Sequence, residues 1–166
     1  MTIEINSAYL FPNLGITMPS SDLSKDEADA IYRSPKIVVS EGNAVSWDAV
    51  RGPSQKIFVD VITEDGMELE VRGSYSWKGS KRYSFALLFR KTIPIRRWDD
   101  KKGHPDKCSG MILRGPHKHY YHPDFGDSCA KEVSDIRLGD VNGAFLDFLK
   151  ECNISLGDTA YQSIRA

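Results

Sequence analysis

Residues 56–90 carry the pattern that most restricts the fold. Lys56–Thr63 alternates Ile57, Val59 and Val61 with Phe58, Asp60 and Ile62, the period-two signature of a strand with one buried face. Asp65-Gly66 follows, a dipeptide that tolerates the positive φ angles of a tight hairpin turn. Met67, Leu69 and Val71 then resume the alternation. Tyr83–Arg90 is almost continuously apolar and predicts a central strand buried on both faces. Thr92–Trp98 holds Ile93 and Ile95 but also Pro94, which cannot donate to a ladder, so an edge or bulged strand is expected. Met111–Arg114 and His117–His122 predict two more short strands.

Helical signals lie at the two ends. Ser24-Lys25-Asp26-Glu27 fits a capping box, with Ala28, Ala30 and Ile31 behind it and Pro35 as a stop. Val141, Ala144, Phe145, Phe148, Leu149 and Cys152 form an apolar stripe behind Asp140, a natural N-cap, and Asn153 is placed to close that helix in a left-handed conformation. The fold class is therefore α+β: a mostly antiparallel sheet of roughly five to seven strands, a short N-terminal helix and an amphipathic C-terminal helix. Residues 23–154 form the expected single domain. Residues 1–22 read as an arm with an edge strand at Thr2–Ile5, Lys36–Val39 as a short strand or connector, Gly42–Ser54 and Asp99–Asp106 as loops, and 155–166 as a loosely held tail.

The chain has 166 residues, 40% hydrophobic and 27% charged, the balance of a soluble globular domain. No apolar run is long enough to span a bilayer, and Met1–Ile5 lacks the features of a secretory leader. Cys108, Cys129 and Cys152 are an odd number without tight spacing, so no disulfide framework and a reducing cytoplasm are expected. No nucleotide-binding glycine loop, nucleophile elbow or carboxylate pair is present, which disfavours kinases, serine hydrolases and glycosidases.

Charge is segregated along the chain. Residues 72–118 hold 13 lysines and arginines against three acids, whereas the flanks on both sides are acidic. At the end of this basic island stands Pro116-His117-Lys118-His119-Tyr120-Tyr121-His122. In an extended segment, His117, His119 and Tyr121 share one face and Lys118, Tyr120 and His122 the other. Two imidazoles can serve as general base and acid in metal-independent RNA cleavage, with Tyr121, Arg96 and Lys118 holding the phosphate. Lys78, Lys81, Arg82, Arg90, Lys91 and Arg97 would attract a polyanion, and Tyr75 and Trp77, with Tyr83 and Tyr120, would stack on unpaired bases. Each residue has a plainer use: an H-x-H pair as a hydrogen-bonded strand pair, Tyr83 as core, Arg96-Arg97 as an edge-strand guard. A second set, His104, Cys108, His117 and His119, offers zinc ligands, but at no standard finger spacing and without a Cys-x2-Cys pair. The favoured expectation is therefore a site with no metal and no other cofactor.

The stretch from Leu23 to Ile154 resembles an uncharacterised prokaryotic family of domains of unknown function. The resemblance rests on Ser24–Lys36, Gln55-Lys56-Ile57 with Asp65-Gly66, Arg90-Lys91-Thr92, His104-Pro105-Asp106, the P-H-x-H-x-Y motif at Pro116–Tyr121 and the terminal Phe145–Ile154 (FLDFLKECNI). Arg114-Gly115 departs from the more polar or cysteine-containing lead-in expected before the histidine motif, which counts against a metal there. The resemblance implies a component of toxin–antitoxin or phage-conflict loci. Two functions follow as expectations. One is a small RNA-directed effector, an endoribonuclease toxin held by a cognate antitoxin. The other is a non-enzymatic protein- or nucleic-acid-binding module in bacterial–phage conflict, acting in defence or in anti-defence by blocking a nucleic-acid-binding machine.

Overall fold

A computed structural model describes residues 23–50, 52–100 and 103–164. The expected strand Thr2–Ile5 lies outside these residues. Among them the chain runs α1 (Lys25–Arg33), β1 (Lys36–Val39), β2 (Ala44–Ser46), β3 (Asp48–Val50), β4 (Ser54–Thr63), β5 (Glu68–Ser76), β6 (Arg82–Phe89), β7 (Ile93–Asp99), β8 (His104–Pro105), β9 (Ile112–Leu113), β10 (His117–His122), β11 (Gly126–Glu132), α2 (Val141–Glu151), β12 (Ile154–Ser155) and β13 (Ala160–Gln162). Nine strands make one sheet in the order β11-β10-β7-β6-β5-β4-β1-β12, with β3 beside β4. The α+β class holds, and the sheet is larger than the five to seven strands expected. Its pairs are antiparallel except β1 with β12, and β13 also pairs in parallel with β2.

Both helices lie on one face. In α1, Ser24 caps the helix, its hydroxyl accepting from the Glu27 amide while the Glu27 carboxylate accepts from the Ser24 amide. In α2, the Asp140 carboxylate accepts from the Gly143 amide, and Val141, Ala144, Phe145, Phe148 and Leu149 are buried. Phe145 and Phe148 pack on Phe85, and Phe148 also meets Trp98 edge-on. Burying side chains of this size is worth on the order of 2 kcal/mol each. Trp47 comes from a segment expected to be a loop, yet it packs on Phe85 and Phe145 between β2 and β3. Room for its ring comes from Gly73, where a Cβ would stand 2.6 Å from Ile57 and 3.1 Å from Trp47.

Of the two readings of β7, the bulged one holds: the strand is interior, and the register shift opposite Pro94 absorbs the missing donor. Three further expectations are corrected. Strand β6 is fully buried on the helix-covered face, but Ser84 and Ala86 are only half-buried on the other. Within the expected tail, residues 155–164 are integrated rather than loosely held: β13 pairs with β2, and the Tyr161 hydroxyl accepts from Trp47 Nε1 at 2.8 Å. Finally, Cys108 and Cys129 are joined in a disulfide across 21 residues of sequence, linking the β8–β9 hairpin to β11.

Candidate metal centre

Strands β7 and β10 are antiparallel neighbours, with Asp99 opposite His117 and Arg97 opposite His119. Opposed residues point to the same face, here the face without helices. Period two therefore delivers Asp99, His117 and His119 to one patch. The β8–β9 hairpin folds over it and adds His104. Gly103 makes this approach possible, since a Cβ there would stand 2.9 Å from the Leu113 carbonyl oxygen. Asp106 then pins the hairpin: its carboxylate accepts from the amides of Cys108, Ser109 and Ala130. Burial works against that charge, but these bonds and the Ser109 hydroxyl outweigh it and hold the Asp106 carboxyl down at about 2.

One ligand-capable atom from each of Asp99, His104, His117 and His119 lies within 4.8 Å of the others. The imidazole tautomers follow from the carbonyls beside them. A carbonyl oxygen only accepts, so each nearby Nδ1 must carry the proton. His104 Nδ1 donates to the Pro105 carbonyl at 2.8 Å, His117 Nδ1 to Gly115 at 2.8 Å and His119 Nδ1 to Asp127 at 2.6 Å. In the neutral form each of these rings presents Nε2 as a lone-pair acceptor, and the three Nε2 atoms converge. His104 Nε2 is 3.1 Å from His119 Nε2. Asp99 Oδ2 is 3.0 Å from His119 Nε2 and 3.6 Å from His117 Nε2. His117 and His119 are 0% exposed, and His117 Nε2 is buried with no hydrogen-bond partner.

Lone pairs packed this closely repel unless a cation sits among them. Protonating His117 is costly: burial, the largest influence on it, holds its pKa below the ordinary histidine value. Burial also opposes the charged form of Asp99, but a hydrogen bond from His119, made only while its Nε2 carries a proton, and the Arg97 guanidinium overcome it, so Asp99 is a carboxylate and a metal ion would have to take that proton's place. Arg97 reaches into the cluster, donating to His119 Nε2 at 2.8 Å and from Nε to Asp99 at 3.0 Å, with Asp127 as a further partner. Its 3.2 Å approach to His119 Nδ1 carries no bond, because that nitrogen's proton is already given to Asp127. Three Nε2 donors with carbonyl-fixed tautomers and one carboxylate match the ligand chemistry of zinc and of other first-row divalent ions.

The residues singled out in the sequence divide between this patch and other places. His117, His119 and Arg97 are in it. Lys118 and Arg96 fall on the helix-covered face: Lys118 pairs with Asp135 at 2.7 Å and with Glu151, and Arg96 lies over the Tyr32 ring and 3.5 Å from Glu151. Tyr121 joins the hydrophobic core, because the register shift between Tyr120 and His122 breaks the alternation beside it. Cys108 is not a ligand in this set, since the disulfide occupies its sulfur; Asp99 takes the fourth place. Tyr75 and Tyr83 are buried and unavailable for stacking, whereas Trp77 is exposed. The basic island does not make one patch: Lys78, Lys81 and Arg82 sit at one end of β6, and Arg90 and Lys91 at the other. Lys91 is also compensated by Asp60 at 3.2 Å.

The cluster opens onto a cleft of about 600 Å³, lined also by Ser74, Ser84, Arg97, Lys107 and Ser128. A model of a family of unknown function, DUF6978, matches residues 23–154. The chain belongs to that family. In this DUF6978 chain the matched span contains all four converging residues as well as both helices. No curated protein and no solved structure matches the chain. No helix among the described residues is long and apolar enough to cross a membrane.

Proposed function

We propose that this protein is a metal-dependent phosphodiesterase acting on RNA, with Asp99, His104, His117 and His119 holding one divalent ion, most simply zinc. The observation that carries the proposal is the convergence of four lone-pair donors, His117 and His119 fully buried and His104 partly so, with the three imidazole Nδ1 protons already committed to carbonyls. Histidines so buried, with both Nδ1 protons given to carbonyls, are poorly placed to exchange protons as a metal-free acid–base pair. A bound divalent ion would instead supply hydroxide near neutral pH. Addition of that hydroxide to phosphorus would break the P–O bond to the leaving nucleotide, whose oxygen would take up a proton from solvent in the cleft. Arg97 is the phosphate clamp, because a guanidinium offers paired donors to two phosphate oxygens. Once the ion takes over Asp99 and His119, Arg97 keeps Asp127 as its anchor and turns its remaining donors to the cleft.

Such a hydrolase fits the effector role that the sequence suggests, a toxin whose target is RNA and whose antitoxin covers the open face. The decisive measurements are metal content and RNA cleavage with and without a chelator. We expect one equivalent of metal, chelator-sensitive cleavage, and loss of both in His119→Ala. Purified protein that holds no metal under any loading condition, with cleavage indifferent to the chelator, would sink the proposal. The network would then be a polar one in which Arg97 is the resident cation.

A further inference from the structure

We infer that a single-stranded polynucleotide, RNA by preference, lies across the helix-free face of β4–β7 and is led along it to the metal centre. This rests on the phosphodiesterase reading and assigns the substrate's path. Two cross-strand rows carry the inference. One runs Lys56, Ser74, Ser84, Asp99, His117; the other runs Phe58, Arg72, Ala86, Arg97, His119. Members of each row are directly opposed, so their side chains share the face, and four strand spacings carry each row about 19 Å.

The chemistry along the rows is uneven. Ser74, Ser84 and Ala86 are small and leave a floor without projections. At the far end Phe58 is 51% exposed on a strand where Ile57 and Val59 are buried, with the Arg72 guanidinium 5.9 Å from its ring centroid. An aromatic ring left in water beside a cation is the arrangement that stacks on an unpaired base. Lys56 at one end of the path and Lys107 at the cleft have no acid within 4 Å among the described residues, although Asp48 stands opposite Lys56 in the β3–β4 register. Of the other acids near the path, Glu70 is engaged by Arg72, Asp60 by Lys91 and Asp127 by Arg97, which leaves Asp48 at the edge as the acid without an ion pair among the described residues. Duplex fits less well, since stacking on Phe58 needs an unpaired base. The serine hydroxyls at 74 and 84 give the floor donors and acceptors for 2′-hydroxyls.

The test uses the protein as purified with its metal, and fluorescent oligouridylate, its deoxy counterpart and a duplex as probes. Phe58→Thr, which keeps a strand-compatible side chain, is expected to weaken oligouridylate binding about tenfold. Lys56→Gln is expected to weaken it less and to lower the salt slope by about one phosphate contact. Both residues are exposed and outside the metal cluster, so metal content is expected to stay at the parent level. If both variants hold metal and bind oligouridylate like the parent, the path is wrong while the metal reading survives. If the protein carries no metal yet both variants lose binding, the path stands and the hydrolytic reading fails. Binding of deoxyoligonucleotide equal to RNA supports the path and removes the sugar preference. Tighter binding of duplex than of either single strand overturns it.

Discussion

Lys118 and His119 are neighbours on β10 and belong to different worlds. Lys118 faces the helices, where Asp135, Glu151 and the Trp98 ring surround its ammonium. Burial pulls its pKa down, but the two carboxylates more than offset this and hold it above the ordinary lysine value. Among the described residues, Lys118 is matched there by two carboxylates, and Arg96 lies against Glu151 although its Nε has no hydrogen-bond partner. One residue on, the other face collects His104, His117, His119 and Asp99 with acceptor atoms pointing at one another. Matched polar groups explain themselves as structure. Here Arg97 serves Asp99 and His119, but buried His117 Nε2 has no partner, and an unpaired buried polar atom costs on the order of 1–3 kcal/mol, which makes this side the candidate site.

The largest effect that could break this contrast is on metal retention. Asp99→Asn or His117→Ala should lower affinity at least a hundredfold, read by competition with a chromophoric chelator; parent-like affinity would mean the cluster is only structural. Lys118→Met should do the reverse. It leaves metal content unchanged and lowers unfolding stability by about 2 kcal/mol in urea titration, between the values for exposed and buried pairs.

The helix-covered face can also be probed by pH. Lys36 is 4% exposed, and its ammonium donates to the carbonyls of Tyr32, Ser34 and Cys152 at 2.6–3.0 Å. Burial lowers its pKa from 10.5 to about 8. Between these values the unfolded chain binds more protons than the folded one, so this group's contribution to stability rises as pH increases from 8 to 10.5. The carbonyl bonds favour the charged form and trim the effect to about 1–2 kcal/mol. Parent protein should show this gain in urea titrations and Lys36→Met should lack it; equal slopes would mean Lys36 stays charged throughout. The smallest effect is expected at the hairpin. Cys108→Ser frees the segment carrying His104 and should weaken metal binding about tenfold, the lower part of the range for groups that orient ligands.

Much of this architecture was legible locally. The β4–β5 hairpin, the Ser24 capping box and the α2 stripe are short-range patterns, and they fold as those patterns require. Strands β2, β3, β8, β12 and β13 were missed because each has only two or three residues, and β11 because Gly126-Asp127-Ser128 opens it with turn-forming residues. Of these, β2, β12 and β13 exist through pairing with distant partners, which no local periodicity records. At the site, alternation put His117 and His119 on one face, and the same rule already placed Lys118 on the other. Asp99 was overlooked because Asp99-Asp100 looked like the start of a polar loop. The signal was present: Arg97 and Asp99 are two apart, so a strand continued by one residue puts both on the histidine side. The Cys108–Cys129 link had no such signal, since spacing alone does not say which sulfurs meet.

The parallel pairing of β1 with β12 has a consequence for how the protein is made. Residues near the start of the domain, Lys36 and Ile37, find their partners only at Ile154 and Ser155, and Lys36 also waits for the Cys152 carbonyl. On the ribosome, the β4–β7 meander can emerge and pair while the β1 edge remains open. Closure comes only once Ile154 and Ser155 have cleared the exit tunnel, well after the meander, so the edge next to β4 stays unpaired through more than a hundred residues of further synthesis.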